Sequence, residues 1–238
     1  MPQDPGQRHP GGVGLVLLRP RSLMHLDPAR AHRPISGGLA FAVLLLGALV
    51  TAGVRAAPLE GDPAPLASVD HVVISEVMTG GTSASDEFVE LYNPGSTARS
   101  LDGLELVYVT ATGATVTRKA VWDPGAQIAG RSHLLVANEA GIFAGVADLT
   151  YANGLAATGG SMALRGVAAS TAVDAVGWGN ATGTWHEGTV ASAPSAGSSL
   201  ERLPGGSQGS GQDSDQNAVD FIVRGAPDPR NAASLPVP

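Results

Sequence analysis

The sequence has no cysteine, a single lysine and few aromatic residues, which make up 4% of its 238 positions. Without cysteine the chain cannot form disulfide bridges or use a thiol nucleophile, so burial and hydrogen bonding must stabilise the fold. The only lysine, Lys119, follows an arginine rather than a glycine, which excludes a phosphate-binding P-loop. Histidine pairs of the His-Glu-x-x-His type are absent as well. We therefore expect a protein that is not an enzyme.

Basic residues are scarce after the N-terminal region. Residues 1–57 carry six arginines and two aspartates, whereas residues 58–238 carry eight basic and nineteen acidic residues, a net charge of −11. An acidic domain repels the phosphate backbone, which is the main source of sequence-independent affinity for nucleic acid. The composition therefore disfavours nucleic acid as a direct ligand.

The N-terminal region has the pattern of an export signal. Arginines precede an uncharged apolar run of 17 residues at 38–54, and small residues follow at 56–57. We expect residues 1–57 to be an N-terminal extension with a signal peptide, whose true start is Met24 in one hypothesis. The mature protein is then secreted or periplasmic, and an uncleaved N-terminal anchor is the alternative. Residues 58–68 are rich in proline and predict a linker.

From residue 69 onward, short runs of β-branched and aromatic residues alternate with turns of Gly, Pro and Asn. No segment keeps a helical period, and only Glu139–Ala147 suggests a short helical turn. Alternation in the first strand predicts that Val72, Ile74, Glu76 and Met78 share one face. The pattern predicts a single all-β sandwich. The predicted strands are 71–78, 87–93, 105–113, 114–122, 132–138, 161–166, 171–180, 198–204 and 218–225.

Several of these segments together resemble the lamin-tail domain, in the type found in exported bacterial proteins. The matching segments are Ile74–Val77, Glu87–Pro94, Leu101–Leu104, Val173–Gly179, Ser199–Arg202, Asp213–Phe221 and Pro227–Asn231. One position departs from the pattern, because Leu104 follows Gly103 where an aromatic residue is usual. The resemblance implies an immunoglobulin-like β-sandwich over residues 69–231, followed by a short tail at 232–238. It also implies structural roles for the motif residues Glu76, Glu87, Phe88, Glu90, Leu91, Asn93, Pro94, Gly103, Asp174 and Trp178.

Three functions are open at this point. The resemblance implies a non-catalytic binding or adhesion module whose partner is a protein or a cell-surface component. Relatives that accompany nuclease or phosphoesterase domains suggest, as an alternative, an accessory to such an extracellular enzyme. The third alternative is a divalent-cation-dependent hydrolase that uses Glu76 and Glu90, which the pattern places on adjacent strands, together with the loop from Asp213 to Asp220.

Calcium is the only cofactor that the sequence suggests. Asp213, Asp215 and Asn217 have the spacing that begins a calcium loop, but the sixth and twelfth positions hold Ala218 and Arg224. The full EF-hand pattern therefore fails. Either the carboxyl and amide groups form Asx turns within the loop, or they form a looser calcium site that includes Asp220.

Two tryptophans differ in their expected roles. Trp178 lies between glycines at the end of a predicted strand, which favours a place in the core. Trp185 precedes His186 and Glu187 in a loop and is the freer candidate for contact with a ligand.

Overall fold

The computed structural model describes residues 69–238, which form two facing β-sheets. The predicted leader and linker in residues 1–68 lie outside this described part. Within residues 69–238 no helix is long and apolar enough to span a membrane. The elements in chain order are β1 (Val73–Thr79), β2 (Glu87–Tyr92), β3 (Arg99–Ser100), β4 (Leu104–Thr110), β5 (Val116–Val121), β6 (Gln127–Ile128), β7 (His133–Asn138), β8 (Leu149–Tyr151), β9 (Gly159–Gly166), β10 (Ala172–Gly179), β11 (Ser199–Arg202), α1 (Asn217–Asp220) and β12 (Phe221–Arg224).

The larger sheet has six strands in the order β12-β11-β1-β2-β7-β8, and the smaller has four in the order β10-β9-β4-β5. Neighbouring strands are antiparallel except β7 and β8, which are parallel. Strands β3 and β6 form a separate two-stranded ribbon. The first and late strands of the chain are adjacent, because β11 pairs with β1. The all-β, immunoglobulin-like sandwich that the sequence predicts is confirmed.

The main core lies between the two sheets. Apolar side chains from both sheets meet there, among them Ile74, Leu91, Leu106, Leu164 and Trp178, all without exposed surface. Burial of such side chains is the principal source of stability in a chain that has no disulfides. The face of each sheet that points into this core is its inner face, and the opposite face is its outer face.

A β-bulge at Ser75 changes the faces of the first strand. Ile74 pairs with Leu91 and Glu76 with Glu90, so Ser75 is the extra residue on β1. Beyond the bulge the alternation is reversed, and Val77 joins Ile74 in the core. The prediction that Ile74, Glu76 and Met78 share one face is therefore wrong, because simple alternation does not include an extra residue.

The short helix lies elsewhere than expected. Residues 139–147 form turns with a single i→i+4 hydrogen bond, from the amide of Ala147 to the carbonyl of Phe143. The α-helix of the described chain is α1, four residues long, immediately before β12. Phe143 and Ala147 pack on the outer face of the larger sheet, against Phe88. The apolar residues that suggested helix therefore serve as a loop that covers this face.

Candidate functional site

Asp174 and Arg202, which lie on different sheets, form an ion pair in the interior of the domain. Arg202 Nη2 lies 2.6 Å from Asp174 Oδ1, and both side chains are fully buried. Asp174 also accepts a hydrogen bond from the amide of Ile74 at 2.6 Å, and Arg202 donates to the carbonyl of Ile74 at 2.9 Å. The pair therefore joins β1, β10 and β11, and it is held within the fold rather than offered to a ligand.

Asp213 extends this network toward the surface. Its carboxylate lies 3.3 Å from Arg202 Nη1 and 3.4 Å from His71 Nε2. The close approach of His71 and Asp213 raises the pKa of His71 and lowers that of Asp213. Both oxygens of this carboxylate thus already have nitrogen partners.

Asn217 covers the edge of β10 with its side chain. Its Oδ1 accepts hydrogen bonds from the amides of Gly177 at 2.9 Å and Glu187 at 3.1 Å, and its Nδ2 donates to the carbonyl of Ala175 at 2.8 Å. The side-chain amide thereby replaces one peptide unit of a neighbouring strand. Natural sheets protect their edges from unwanted pairing by such coverage.

Asp220 organises its own loop. It accepts hydrogen bonds from the amides of Ser214 at 2.9 Å and Gln216 at 3.2 Å, and from the hydroxyl of Ser214 at 2.7 Å. The side chain has no exposed surface. Residues 213–220 therefore form the Asx-type network that the sequence suggested as one reading of this loop.

The predicted calcium ligands are only partly brought together. In the described chain two sets of three side chains have ligating atoms within 4.8 Å of one another: His71, Asp174 and Asp213, and Glu187, Asp213 and Asp215. Asp220 belongs to neither set. Burial raises the pKa of Glu187 to about 8. The calcium site stays a prediction, with Glu187 as a ligand that the sequence did not suggest.

Glu76 and Glu90 lie on adjacent strands, as predicted. They are directly opposite each other on β1 and β2, and Glu201 on β11 is opposite Glu76 on its other side. Glu90 accepts a hydrogen bond from the hydroxyl of Ser75 at 2.6 Å, and Glu76 accepts one from the hydroxyl of Ser199. Neither glutamate belongs to the two close ligand sets of residues 69–238.

Asn93 explains the Asn-Pro motif that ends β2. Its Nδ2 donates to the carbonyls of Thr97 at 2.8 Å and Ile128 at 2.9 Å, and its Oδ1 accepts from the amide of Gly95 at 3.0 Å. The side chain therefore ties the turn at Pro94 to the β3–β6 ribbon. Other motif residues are structural as well: Phe88, Leu91 and Trp178 are fully buried, and Gly103 has a φ of +71° in the turn before β4.

The two tryptophans occupy different environments. Trp178 is a core residue, as predicted. Trp185 is half-buried on the outer face of the smaller sheet, where it packs against the cluster that contains Val107 and Ala163. The guanidinium of Arg165 lies 5.0 Å above its ring. One face of Trp185 is therefore occupied by an intramolecular cation–π contact.

Core side chains fix the backbone of the loop at residues 152–157. Lys119 Nζ donates to the carbonyls of Asn153 at 2.7 Å and Gly154 at 3.3 Å, and lies 4.5 Å from the centre of the Tyr151 ring. Burial lowers the pKa of this amine. Glu87 accepts a hydrogen bond from the amide of Leu155 at 2.6 Å. The only lysine of the chain thus has a structural position.

The same loop has two further anchors. Tyr108 accepts a hydrogen bond from the amide of Ala156 at 3.2 Å, and Trp178 Nε1 donates to the carbonyl of Ala156 at 3.0 Å. Four side chains from the core therefore hold consecutive peptide groups of one surface loop. Such support pre-organises a binding surface.

This loop is one wall of a cavity with a volume of about 590 Å³, which Glu87 also lines. The loop between β1 and β2 forms another wall, and Ala196 from the segment before β11 contributes as well. The lining residues besides Glu87 are Thr79, Gly80, Gly81, Ala84, Ser85, Gly154, Leu155, Ala157 and Ala196. All but Leu155 are small, so the cleft exposes backbone. Burial raises the pKa of Glu87, which also accepts a hydrogen bond from Asn138 at 2.9 Å.

A Gly-x-Ser-x-Gly string at residues 205–209 has the spacing of a nucleophile elbow. In the structure it contains a 3₁₀ turn at Gly206–Gln208, rather than the strand-to-helix turn that such an elbow requires. Within residues 69–238 the hydroxyl of Ser207 has no hydrogen bond to a histidine. The string is therefore a loop, as the glycine-rich composition indicates.

The match to a protein family agrees with this architecture. Residues 65–180 match the family described as Lamin Tail Domain, so this part of the chain belongs to the lamin tail domain family. The crystal structure of a DUF4876 family protein from Bacteroides thetaiotaomicron is similar over 69% of this chain and 72% of that chain, with 13% identity and a TM-score of 0.44. No curated protein matches the sequence.

Two features of the site were not predicted. Arg202 was recognised only as part of a resemblance, and its role becomes visible once β11 lies beside β1. The anchored loop at residues 152–157 has no strand pattern, and no local motif connects it with Lys119. A lone lysine in a chain with thirteen arginines was the available signal.

Proposed function

We propose that the protein is a non-catalytic, exported binding module that takes an extended segment of a partner protein into the cleft between loops 80–85 and 152–157. The observation that supports this proposal is the anchored wall of the cleft, whose peptide groups are fixed by Lys119, Glu87, Tyr108 and Trp178. A fixed backbone reduces the entropy that is lost on binding. The small side chains leave room for another backbone to approach.

The charge of the domain favours a basic partner. The segment after residue 57 carries a net charge of −11, so electrostatic attraction accelerates encounter with a basic segment and slows encounter with nucleic acid. Three of the acidic groups are engaged in structural contacts. Asp174 and Asp213 pair with Arg202, and Asp220 is bonded to its own loop.

A phage-displayed random heptapeptide library tests the proposal. The full chain should select peptides that bind with micromolar affinity, and A157W should abolish their binding because the indole fills the cleft at an exposed lining position. The matched control is A114W, at an exposed position in the β4–β5 turn. Peptides that bind A157W as well as the unsubstituted chain would contradict the assignment of the cleft.

An assay with bis(p-nitrophenyl) phosphate tests the non-catalytic part of the proposal. We expect no turnover above the blank in the presence of calcium, magnesium or manganese. Turnover that D215N abolishes would instead support the cation-dependent hydrolase, with Glu187, Asp213 and Asp215 as its ligand set.

A further inference from the structure

The C-terminal segment 225–238 crosses the outer face of the six-stranded sheet without forming a strand. We name this segment the strap. Its hydrogen bonds to the rest of the domain run from Arg230 to Glu90 and Gly206, from Asn231 to Val146, from Ala232 to Asp148, from Val237 to Arg131, and from Tyr92 to the carbonyls of Val237 and Pro238. Apart from the guanidinium of Arg230, the donors are neutral groups. The hydrogen bonds that hold the strap therefore fall in two groups, at residues 230–232 and 237–238.

Beneath the strap lies a row of three glutamates on neighbouring strands. Glu201, Glu76 and Glu90 occupy directly opposed positions on β11, β1 and β2. Their exposed fractions are 8%, 4% and 3%. Like charges directly opposite each other destabilise a sheet, and burial increases this effect because the interior screens charge poorly.

Only one member of the row has an ion-pair partner. Glu201 pairs with Arg224 of β12. Glu76 accepts a hydrogen bond from the Ser199 hydroxyl, whereas Glu90 accepts one from the Ser75 hydroxyl and one from the strap amide of Arg230. Burial raises the pKa of Glu76 to about 7 and that of Glu90 to about 8.

The other charged groups around the row are few. Glu76 faces Arg224 together with Asp228 and Arg230 of the strap, across a cavity of about 160 Å³. Glu90 faces His133 of β7, whose Nε2 lies 3.7 Å from Glu90 Oε1, and the positive charge of Arg230 on the strap partly offsets the rise in the pKa of Glu90. Burial lowers the pKa of His133 to about 4, so this imidazole is neutral above pH 5.

We infer that the strap is a pH-dependent latch, which closes over the glutamate row while Glu76 and Glu90 carry their protons and opens when both are ionised. The inference concerns the outer face of the larger sheet and is independent of the cleft. Opening hydrates the two carboxylates and exposes the row together with Tyr92. The cavity beside Glu76 connects the row with the strap residues that must move.

The direction of the effect follows from proton linkage. The closed form retains the protons of Glu76 and Glu90 up to about pH 7 and pH 8, whereas the hydrated groups ionise at the ordinary glutamate pKa of 4.5. Opening therefore releases two protons in the intervening range, and the opening constant rises by up to about 100-fold per pH unit. Above about pH 8 both forms are ionised and the dependence ends.

Hydrogen exchange of the full chain between pH 5.5 and 9 measures this opening. The reporters are the amides of Arg230, Ala232 and Val237, which donate to Glu90, Asp148 and Arg131. Rates are corrected for the intrinsic pH dependence of exchange. The amide of Asn93, bonded to the carbonyl of Ser132, is the internal reference for the sheet itself and should stay protected.

Glutamine variants give the decisive comparison. E76Q and E90Q should each reduce the pH dependence of the opening constant to about tenfold per pH unit, and the double variant should abolish this dependence. E139Q, at an exposed loop position, is the matched control and should behave as the unsubstituted chain. E76Q alone is informative if the double variant does not fold.

Two results would overturn the latch. One is a pH dependence of strap amide exchange that is the same in the unsubstituted chain and in E76Q. The other is a strap that stays protected at pH 9 in the presence of a chelator, which would show that ionisation of the glutamate row does not release it.

Discussion

The guanidinium of Arg202 lies 2.6 Å from the carboxylate of Asp174, and neither side chain has any exposed surface. This contact joins the two sheets. The amide of Ile74 donates a hydrogen bond to Asp174, and the carbonyl of Ile74 accepts one from Arg202. Asp174 lies within the lamin tail domain match, whereas Arg202 follows it. The pair therefore ties the matched part of the chain to the strands that complete the larger sheet.

Replacing Arg202 should destabilise the folded domain. R202M leaves Asp174 buried without its cation, and we expect a loss of about 3–5 kcal/mol in the free energy of unfolding. R224M removes a side chain that is 39% exposed from its pair with Glu201, and we expect a loss of at most about 1 kcal/mol. Urea denaturation followed by circular dichroism measures both. A loss below about 1 kcal/mol for R202M would contradict a structural role for the pair.

The end of the family match is not the end of the folding unit. Truncation after residue 180 removes β11, β12 and Arg202, which leaves β1 as an edge strand and Asp174 without its partner. We expect residues 1–180 to lose cooperative thermal unfolding. The control is residues 1–224, which lack only the strap and should still unfold cooperatively. A cooperative transition of residues 1–180 near that of the full chain would refute this expectation.

The sequence predicted the strands because their alternation and turn residues are local signals. Eight of the nine predicted strand segments coincide closely with β1, β2, β4, β5, β7, β9, β10 and β11. In the ninth, residues 218–225, the first three residues belong to α1 and only the following four form β12. The two-residue strands β3 and β6 and the short β8 have no pattern of their own, since pairing with distant segments alone defines them. The Ser75 bulge was missed for the same reason.

The candidate site was less predictable, because its groups come from distant parts of the chain. Glu187 lies near Asp213 only after the loop that follows β10 folds back. Lys119 and Gly154 are 35 residues apart and meet across the core. Spacing within a short motif, such as that of Asp213 and Asp215, cannot reveal contacts of this kind.

Lys119 provides a direct test of the anchored loop. It is the only lysine and is 5% exposed, so an amine-acetylating reagent should modify the native chain at this residue at least about 100-fold more slowly than the unfolded chain. T115K adds an exposed lysine in the β4–β5 turn and is the control for reagent access. Mass spectrometry of digests identifies the modified residue. Rapid modification of native Lys119 would show that the loop is not held as described.

Thermal unfolding with calcium and with a chelator tests the cation prediction. Asp213 already has Arg202 and His71 as partners, so we expect calcium to change the melting temperature by less than about 2 °C. A larger rise that D215N abolishes would establish a site at Glu187, Asp213 and Asp215. D123N, at an exposed position, is the control, and a rise that both variants retain would locate the ion elsewhere.

The stability of the domain should fall as the pH rises from about 5 to 8, because three carboxyl groups with raised pKa values outweigh one histidine with a lowered pKa. Burial raises the pKa values of Glu76, Glu90 and Glu187 to about 7, 8 and 8, so their stabilising contribution is complete below 4.5 and is lost as the pH rises toward 8. His133 acts in the opposite direction, because its pKa is lowered to about 4 and stability is lost as the pH falls from 6.5. Melting temperatures between pH 4 and 9 measure the profile. E187Q should melt higher than the unsubstituted chain at pH 8 and equally at pH 5, whereas a profile that rises steadily to pH 8 would show that these carboxyl groups are ionised in the folded protein.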